Sequence, residues 1–515
     1  MHEARRFPRA CIATPHDLAS AAGFEVLASG GNAVDAAVAA NLTLGVVTPY
    51  LCGFGGDLFA QIWHDGKAHG YLGSGRAPAG ATLDAVRGRL GTRMPMRGPL
   101  TVTVPGAVRG WFDLLERFGT RSFGDLARRA LGYAIDGFPL TGKARLIFAF
   151  MEAEFGGGEE WRRVYGGVAD RGVLVQPDLG LTIEAIADGG PDAYYRGEIA
   201  DAIAAHVQAE GGLLAASDLA GHEGTWVDPL RAFYRDLEVL ELPPPTQGVT
   251  ALEALRIVDR WGALPPEGVE RQHLLIEAAK LALADRTAHV TDPGHMRIDP
   301  RDLLADAWVD ARVAAIDPSH AIDPGRGTEV PGGTAHLSVA DADGLLVSLI
   351  QTNFNEFGSG LTVPGWGINL QNRGCSFSLD PVDVNVVAPG KWTVHTLIPA
   401  LGLREGEPWL VFGTQGGDAQ AQIHLQVLAR VVDDASDLQA ALDAPRWRIR
   451  PGAWTLEIEP RFGQDVLDGL AARGHEVSPV GEFDDFMGYV EAIRVEADGY
   501  AGAGDPRAES AVLGF

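Results

Sequence analysis

A threonine behind two glycines is the residue of this 515-residue chain best placed to do chemistry. Gly332–Gly333 leaves the backbone free to bring the Gly333 carbonyl onto the Thr334 hydroxyl. Attack there exchanges the peptide for an ester, and hydrolysis of the ester exposes a new amino terminus at Thr334. A free α-amine has a pKa of roughly 7.7–8.0, so it is partly neutral at pH 7 and can act as base for its own hydroxyl. Two strands must hold this residue. Thr334 to Asp341 and Leu345 to Thr352 flank Asp341–Ala342–Asp343–Gly344, a hairpin signal. A turn centred on 342 or 343 puts Thr334 opposite Thr352 or its neighbour, with Cβ atoms about 4.5–5.5 Å apart and the hydroxyls within reach of each other. Taken alone, the pair reads more simply as two threonines serving β-propensity. The glycines upstream shift the balance toward chemistry.

A second feature is Gly413–Thr414–Gln415–Gly416–Gly417–Asp418, between a strand (Trp409 to Phe412) and a helix (Gln420 to Val432). Its glycines can converge two backbone N–H groups on one anion, as an oxyanion hole requires, or simply make a tight strand-to-helix turn. The lysine of a phosphate loop is missing. On the helix Arg271 to Arg286, His273 and Glu277 at i, i+4 have the spacing of metal ligands. No third ligand accompanies them in the sequence, so the expected reading is a solvated helix face shared with Lys280, with no metal and no cofactor.

The elements around these residues alternate helix and strand in the first third. Asp17 to Ser29 reads as a helix, and Asn32 caps another to about Gly45. Strands are expected at Leu58 to Trp63, His69 to Leu72 and Thr101 to Val104, then a helix to about Phe118. Residues 122–286 read as mainly helical, and Pro293 to Gly333 as a long irregular connection. Later strands are expected at Gly367 to Leu370 and Val490 to Val495. The length exceeds one ordinary domain, so either two domains or one large layered one is expected. Apolar residues make up 46% and charged residues 21% of the chain. The formal charge of −26 argues against nucleic acid and anionic membranes as partners. Cys11, Cys52 and Cys375 are scattered and suggest no disulfide framework. Arginines near the N-terminus have no apolar stretch of about 7–15 residues behind them, so a cytoplasmic location is expected.

Ordered motifs extend over nearly the whole chain. They are Gly30–Gly31–Asn32–Ala33–Val34–Asp35–Ala36–Ala37, Thr48–Pro49, Gly53–Phe54–Gly55–Gly56–Asp57, Thr103–Val104–Pro105–Gly106 and Pro191 through Gly197. Pro243–Pro244–Pro245, Glu277–Ala278–Ala279–Lys280 and Ala284–Asp285–Arg286 come next, then Thr334 through Val339, Phe357–Gly358–Ser359–Gly360, Gly416–Gly417 and Gly504–Asp505–Pro506–Arg507. Any one is weak, but their joint order resembles the γ-glutamyltranspeptidase family. The resemblance implies an α+β fold, a four-layer αββα sandwich of the N-terminal-nucleophile hydrolase type. It implies a precursor cut between Gly333 and Thr334 into a large subunit (1–333) and a small one (334–515), intertwined as one domain. It also implies that Thr334 is the nucleophile, that Thr352 supports it, and that the Gly416 and Gly417 amides hold the oxyanion. Asn353, Asn355, Arg373, His395, Thr396 and Asp418 are the expected substrate-binding residues.

The chain departs from the family pattern where the γ-glutamyl group is gripped. The acidic segment after the nucleophile strands is here Leu370–Gln371–Asn372–Arg373–Gly374–Cys375–Ser376–Phe377, with no carboxylate. The carboxylate-binding arginine is displaced to Arg76, within Ser74–Gly75–Arg76–Ala77–Pro78, and His395–Thr396 replaces paired serines. Arg373 either holds a carboxylate of the acyl group or makes a surface or structural ion pair. The expected function is a threonine amidohydrolase or acyltransferase acting on a small-molecule amide, with water or an amine as acceptor. True γ-glutamyl transfer and an uncut, non-enzymatic binding protein are the alternatives, with a metal-dependent hydrolase further behind.

Overall fold

The computed structural model describes residues 3–154, 158–330 and 332–515. The early strands are β1 (Arg5–Phe7), β2 (Cys11–Thr14), β3 (Asp57–His64) and β4 (Lys67–Gly73). The middle adds β5 (Thr225–Val227), β6 (Leu230–Tyr234) and β7 (Leu237–Glu241). The last part supplies β8 (Gly333–Ala340), β9 (Leu346–Phe354), β10 (Ala400–Arg404), β11 (Glu407–Thr414), β12 (Val490–Glu496), β13 (Gly499–Gly504) and β14 (Ala511–Gly514). They form two seven-stranded sheets, ordered β1-β13-β12-β11-β10-β7-β6 and β14-β2-β8-β9-β3-β4-β5. Segments from both sides of position 334 therefore contribute strands to both sheets.

The sheets stack face to face, and helices cover both outer surfaces. On one side α1 (Asp17–Ala28) and α2 (Ala33–Val47) pack under the sheet that holds β8 and β9. On the other, α3 (Gly248–Asp259) and α5 (Ala419–Leu428) lie on the second sheet, and α4 (Val269–His289) packs against both helices. The layer order is αββα. Asn32 starts α2 with a capping box, its side chain accepting from the Asp35 N–H while the Asp35 carboxylate accepts from the Asn32 N–H.

Strand alternation decides what faces what. Ala335, Leu337 and Val339 on β8 join the core under α2, as do Val347 and Leu349 on β9. The opposite faces, bearing Thr334, His336, Ser338 and Ala340 and, on β9, Leu346, Ser348 and Thr352, point at the other sheet. Every residue of both strands is buried, because one face meets helices and the other meets a sheet.

Three expectations need correction. Thr101 to Val104 is not a strand: Pro99–Thr101 is a 3-10 turn, and residues 102–104 have no ladder partner. The helical middle is broken by β5 to β7. Leu230–Tyr234 alternates buried and exposed residues, and Arg235 turns the chain with φ of 57°. The connection before Thr334 is less irregular than its composition suggests, because Asp306–Ala315 is an α-helix. Pro331, near its end, lies outside the described residues. No helix among the described residues is long and apolar enough to cross a membrane.

Candidate active site

The site is built where β8 begins. The β8–β9 ladder runs from Ala340↔Leu346 to Ala335↔Gln351 and then slips, pairing Gly333 with Phe354. Thr334 sits in that break, opposite Thr352 and Asn353, and is 1% exposed. The Thr352 hydroxyl donates to the carbonyl oxygen of Gly333 and accepts from the Phe354 N–H at 2.7 Å. The expected Thr334–Thr352 pair is thus corrected in kind: the Thr352 hydroxyl bonds the carbonyl of Gly333, the residue just before Thr334. Behind the pair, β3 lies against β9 with Asp57 opposite Thr352. The Gly55–Gly56 turn ahead of Asp57 is tight, since a Cβ on Gly56 would stand 2.3 Å from the Thr352 carbonyl oxygen.

The glycine turn reaches the same end of β8. Ser338 Oγ donates to the carbonyl oxygens of Val411 and Glu491, at 3.4 and 3.1 Å. Two residues nearer Thr334, the His336 ring lies where a Cβ on Gly413 would be, 2.4 Å away. Moving along β8 toward Thr334 therefore moves along β11 toward Thr414 and the turn. Gly416 and Gly417 have φ of 138° and 57°; the first suits only glycine and the second favours it. Neither N–H is taken by another described residue, while the Gly416 and Gly417 carbonyls cap the start of α5. Free N–H groups at a helix start are what a developing oxyanion needs.

Sequence reasoning missed Gln247, which organises this corner. Its Nε2 donates to the carbonyls of Thr396 (3.0 Å) and Gly417 (2.9 Å), and its Oε1 accepts from Arg286 at 3.0 Å. The signal was the Pro243–Pro244–Pro245 run just ahead of it, which fixes that turn. Asp418 was expected to bind substrate. Its carboxylate instead pairs with Arg286 and accepts the Val330 N–H, and its own N–H donates to the Val330 carbonyl at 3.2 Å. Burial raises its pKa and Arg286 opposes the rise. Asp418 thus clasps the chain four residues ahead of Thr334.

The remaining candidates divide. Asn353 is buried, its Nδ2 donating to the Pro49 carbonyl at 3.3 Å, and its Oδ1 is unpartnered. Asn355 is half-buried and makes its contacts through its backbone, donating to Asn372 Oδ1 at 3.1 Å. His395 accepts the Leu397 N–H at Nδ1 (3.3 Å), which leaves Nε2–H to donate to Asp57 Oδ2 at 3.2 Å. Burial, then the nearby Arg373 charge, holds this imidazole neutral, well below its ordinary range. The Asp57 carboxyl is pushed up to about 7, chiefly by burial. His395 is therefore committed to Asp57. Thr396 Oγ1 is buried without a partner. Arg76 is engaged elsewhere, donating to Asp292 (3.1 Å) and the Gly390 carbonyl (3.0 Å) and lying 3.7 Å over the Trp392 ring. Arg373 is fully buried, so it is no surface ion pair.

The solvated face expected for His273 and Glu277 is overturned. Both are 0% exposed, and His475 joins them, with one ligand atom from each within 4.8 Å of the others. His273 Nε2 donates to the Asp317 carbonyl (2.8 Å), so its Nδ1 accepts from His475 Nε2 (2.8 Å). Glu277 accepts from Lys280 Nζ at 2.9 Å and from the Ile322 N–H at 3.0 Å. An ammonium at that distance opposes a metal cation. The cluster pins residues 317–322 of the connection onto α4.

Two stacked antiparallel sheets between helical layers, with a glycine-preceded threonine opening an inner strand and free amides at its end, define an N-terminal-nucleophile hydrolase made as a proenzyme. The chain belongs to the γ-glutamyltranspeptidase family: the family's profile, "Gamma-glutamyltranspeptidase", matches residues 19–515. A glutathione hydrolase-like proenzyme of Bacillus subtilis (strain 168) is 36% identical over 520 residues, covering 98% of each chain. An oxamate amidohydrolase proenzyme of Klebsiella pneumoniae is 35% identical over 539 residues, covering 100% of both. The crystal structure of a cephalosporin acylase from Bacillus halodurans superposes with a TM-score of 0.95 at 36% identity, covering 100% of this chain and 97% of that one. The chain is an enzyme of this family.

Proposed function

We propose that this protein is a threonine amidohydrolase that cuts itself between Gly333 and Thr334 and then cleaves small-molecule amides through an acyl-enzyme on Thr334. The observation that carries the reading is the Thr352 hydroxyl bonded to the Gly333 carbonyl, at a break in strand register that leaves the Thr334 backbone out of the ladder. In the precursor, Thr352 stabilises the oxygen that gains charge as the Thr334 hydroxyl attacks. The Gly333–Thr334 C–N bond breaks as the ester forms, the hydroxyl proton passing to the freed Thr334 amine, and water then hydrolyses the ester to release the Gly333 carboxylate. In the mature enzyme that amine takes the hydroxyl proton, Oγ attacks the amide carbon, and the Gly416 and Gly417 amides hold the oxyanion. The leaving nitrogen receives the proton, and water or an amine releases the acyl group. Similarity to a glutathione hydrolase-like proenzyme favours γ-glutamyl substrates, but no carboxylate stands in residues 370–377 to take the substrate ammonium.

Intact mass and N-terminal sequencing test this. The expected result is one chain ending at Gly333 and one beginning at Thr334, 515 − 333 = 182 residues long. A single uncut chain, or a different new terminus, would overturn it. On active protein, an acyl adduct trapped on Thr334 completes the test.

A further inference from the structure

His336 and Glu491 are both fully buried between the two sheets, and no step of the proposed chemistry uses them. His336 lies two residues beyond Thr334 on the same face of β8. Glu491, on β12, stands opposite Gly413 of β11 in the ladder. The imidazole fills the place of the missing Gly413 side chain, since a Cβ there would stand 2.4 Å from its Cδ2 and Nε2. The nucleophile strand thus rests directly on the residue three positions before Gly416.

The hydrogen bonds fix where the protons lie. Ser348 Oγ accepts the Ala400 N–H (3.2 Å) and donates its single proton to the Phe412 carbonyl (2.9 Å). His336 Nε2, 2.9 Å from the same oxygen, must therefore be the donor. That leaves Nδ1 a bare lone pair, without a partner and 3.7 Å from Glu491 Oε2, which also lacks one. Two acceptors facing each other in a dry seam repel, and a proton on Oε2 turns the contact into a hydrogen bond that a small shift closes. Placing that proton on Nδ1 instead would leave an ion pair in the seam, with the desolvation cost of two charges. Burial, then the Asp505 charge, pushes the Glu491 carboxyl well above the usual carboxylate range. Burial, then His424, holds the imidazole neutral. The charged groups facing the pair are engaged elsewhere, Asp505 with Arg446 and Arg507, and His424 with Glu241.

We propose that Glu491 is kept protonated and, by donating to His336, fixes the nucleophile strand against the amide turn, so that both are positioning residues for acyl transfer. The donors then run one way, from Ser510 to Glu491 (3.0 Å), to His336, to Ser348 and to the Phe412 carbonyl. They tie β12, β8, β9 and β11 together beside Thr334 without burying a charge. The proposal rests on Thr334 as nucleophile and on the Gly416 and Gly417 amides as oxyanion donors. Self-cleavage involves Thr334 and Thr352 within one hairpin and does not call on the turn, whereas acyl transfer needs hairpin and turn in register.

The test uses p-nitrophenyl acetate with the mature enzyme. Thr334 Oγ takes the acetyl group, p-nitrophenolate leaves, and Thr334→Ala is the blank. Glu491→Gln keeps a neutral donor of the same shape and should acylate within about threefold of wild type. Glu491→Met removes the donor and should acylate roughly 10- to 100-fold more slowly at unchanged KM for the ester, with maturation near wild type. His336→Gln keeps a donor but loses the Nδ1 acceptor; it should slow acylation likewise, and combining it with Glu491→Met should add nothing further. Nitrogen-15 spectra should show one imidazole, absent from His336→Gln, that keeps its proton on Nε2 from about pH 5 to pH 9. Glu491→Gln as slow as Glu491→Met would mean an ionised carboxylate, and wild-type acylation in Glu491→Met would mean mere filling; either overturns the proposal, as does an imidazolium at His336. If Glu491→Met does not fold, Glu491→Gln and the nitrogen spectrum decide, since both keep the shape. A wild-type protein cut at another bond, or acetylated elsewhere than Thr334, would overturn the nucleophile reading and the proposal with it, so the two failures are distinguishable.

Discussion

Thr352→Val separates chemistry from folding at the cleavage site. Valine keeps the shape and removes the hydroxyl, so two bonds go: the donor to the Gly333 carbonyl and the acceptor for the Phe354 N–H. The bond to Gly333 exists already in the ground state, so only its strengthening during attack affects the rate. A hydrogen bond roughly doubles in strength when its acceptor becomes charged, which gives about 1–1.5 kcal/mol. Loss of a full oxyanion donor costs about 2.7–4 kcal/mol. Self-cleavage should therefore slow between roughly tenfold and 1,000-fold. The buried Phe354 N–H loses its acceptor and costs about 1–3 kcal/mol of stability. Thr352→Ser should restore both. The assay is a denaturing-gel time course of precursor disappearance, read beside thermal melts of the same samples. A folded Thr352→Val protein maturing at the wild-type rate would refute the reasoning and leave Thr352 an ordinary strand residue.

Thr334→Ala should yield one intact 515-residue chain with the same fold, seen by mass and circular dichroism. Asp418→Asn breaks a buried pair with Arg286 and should cost about 3–5 kcal/mol in urea melts while slowing maturation, since Val330 loses its clasp. The His475 imidazole is pushed down to about 3, chiefly by burial, whereas an unfolded histidine titrates near 6.5. The unfolded chain then binds the extra proton, so this contribution is complete above about pH 6.5 and is lost as pH falls toward 3. Urea titration of the uncut Thr334→Ala protein between these pH values should show it, and His475→Gln should flatten the slope. In the mature enzyme, kcat/KM should rise through the pKa of the Thr334 amine, roughly 7.7–8.0 if unshifted, as a pH–rate profile would show.

The sequence by itself determined the parts whose causes are local. Gly332–Gly333 ahead of Thr334, the Asp341 to Gly344 turn and the two glycines before Asp418 each carry their own backbone signal, so the hairpin, its register to within a residue and the amide turn were legible. Asn32 and its capping box were legible for the same reason. Tertiary structure alone decided what distant segments bring to each other. His273 and Glu277 have a polar pattern, but their burial comes from His475 and from Asp317 and Ile322, up to 202 residues away. The strands at 230–241 join their sheet through β10, more than 150 residues further on, so nothing nearby marked them against a helical background. Asp418 looked available for substrate until Arg286 and Val330 took its oxygens. Arg373 left open a surface or structural ion pair or a ligand-binding role; its full burial over the Phe354 ring removed the surface pair, because a guanidinium closed from solvent is out of reach of a surface carboxylate.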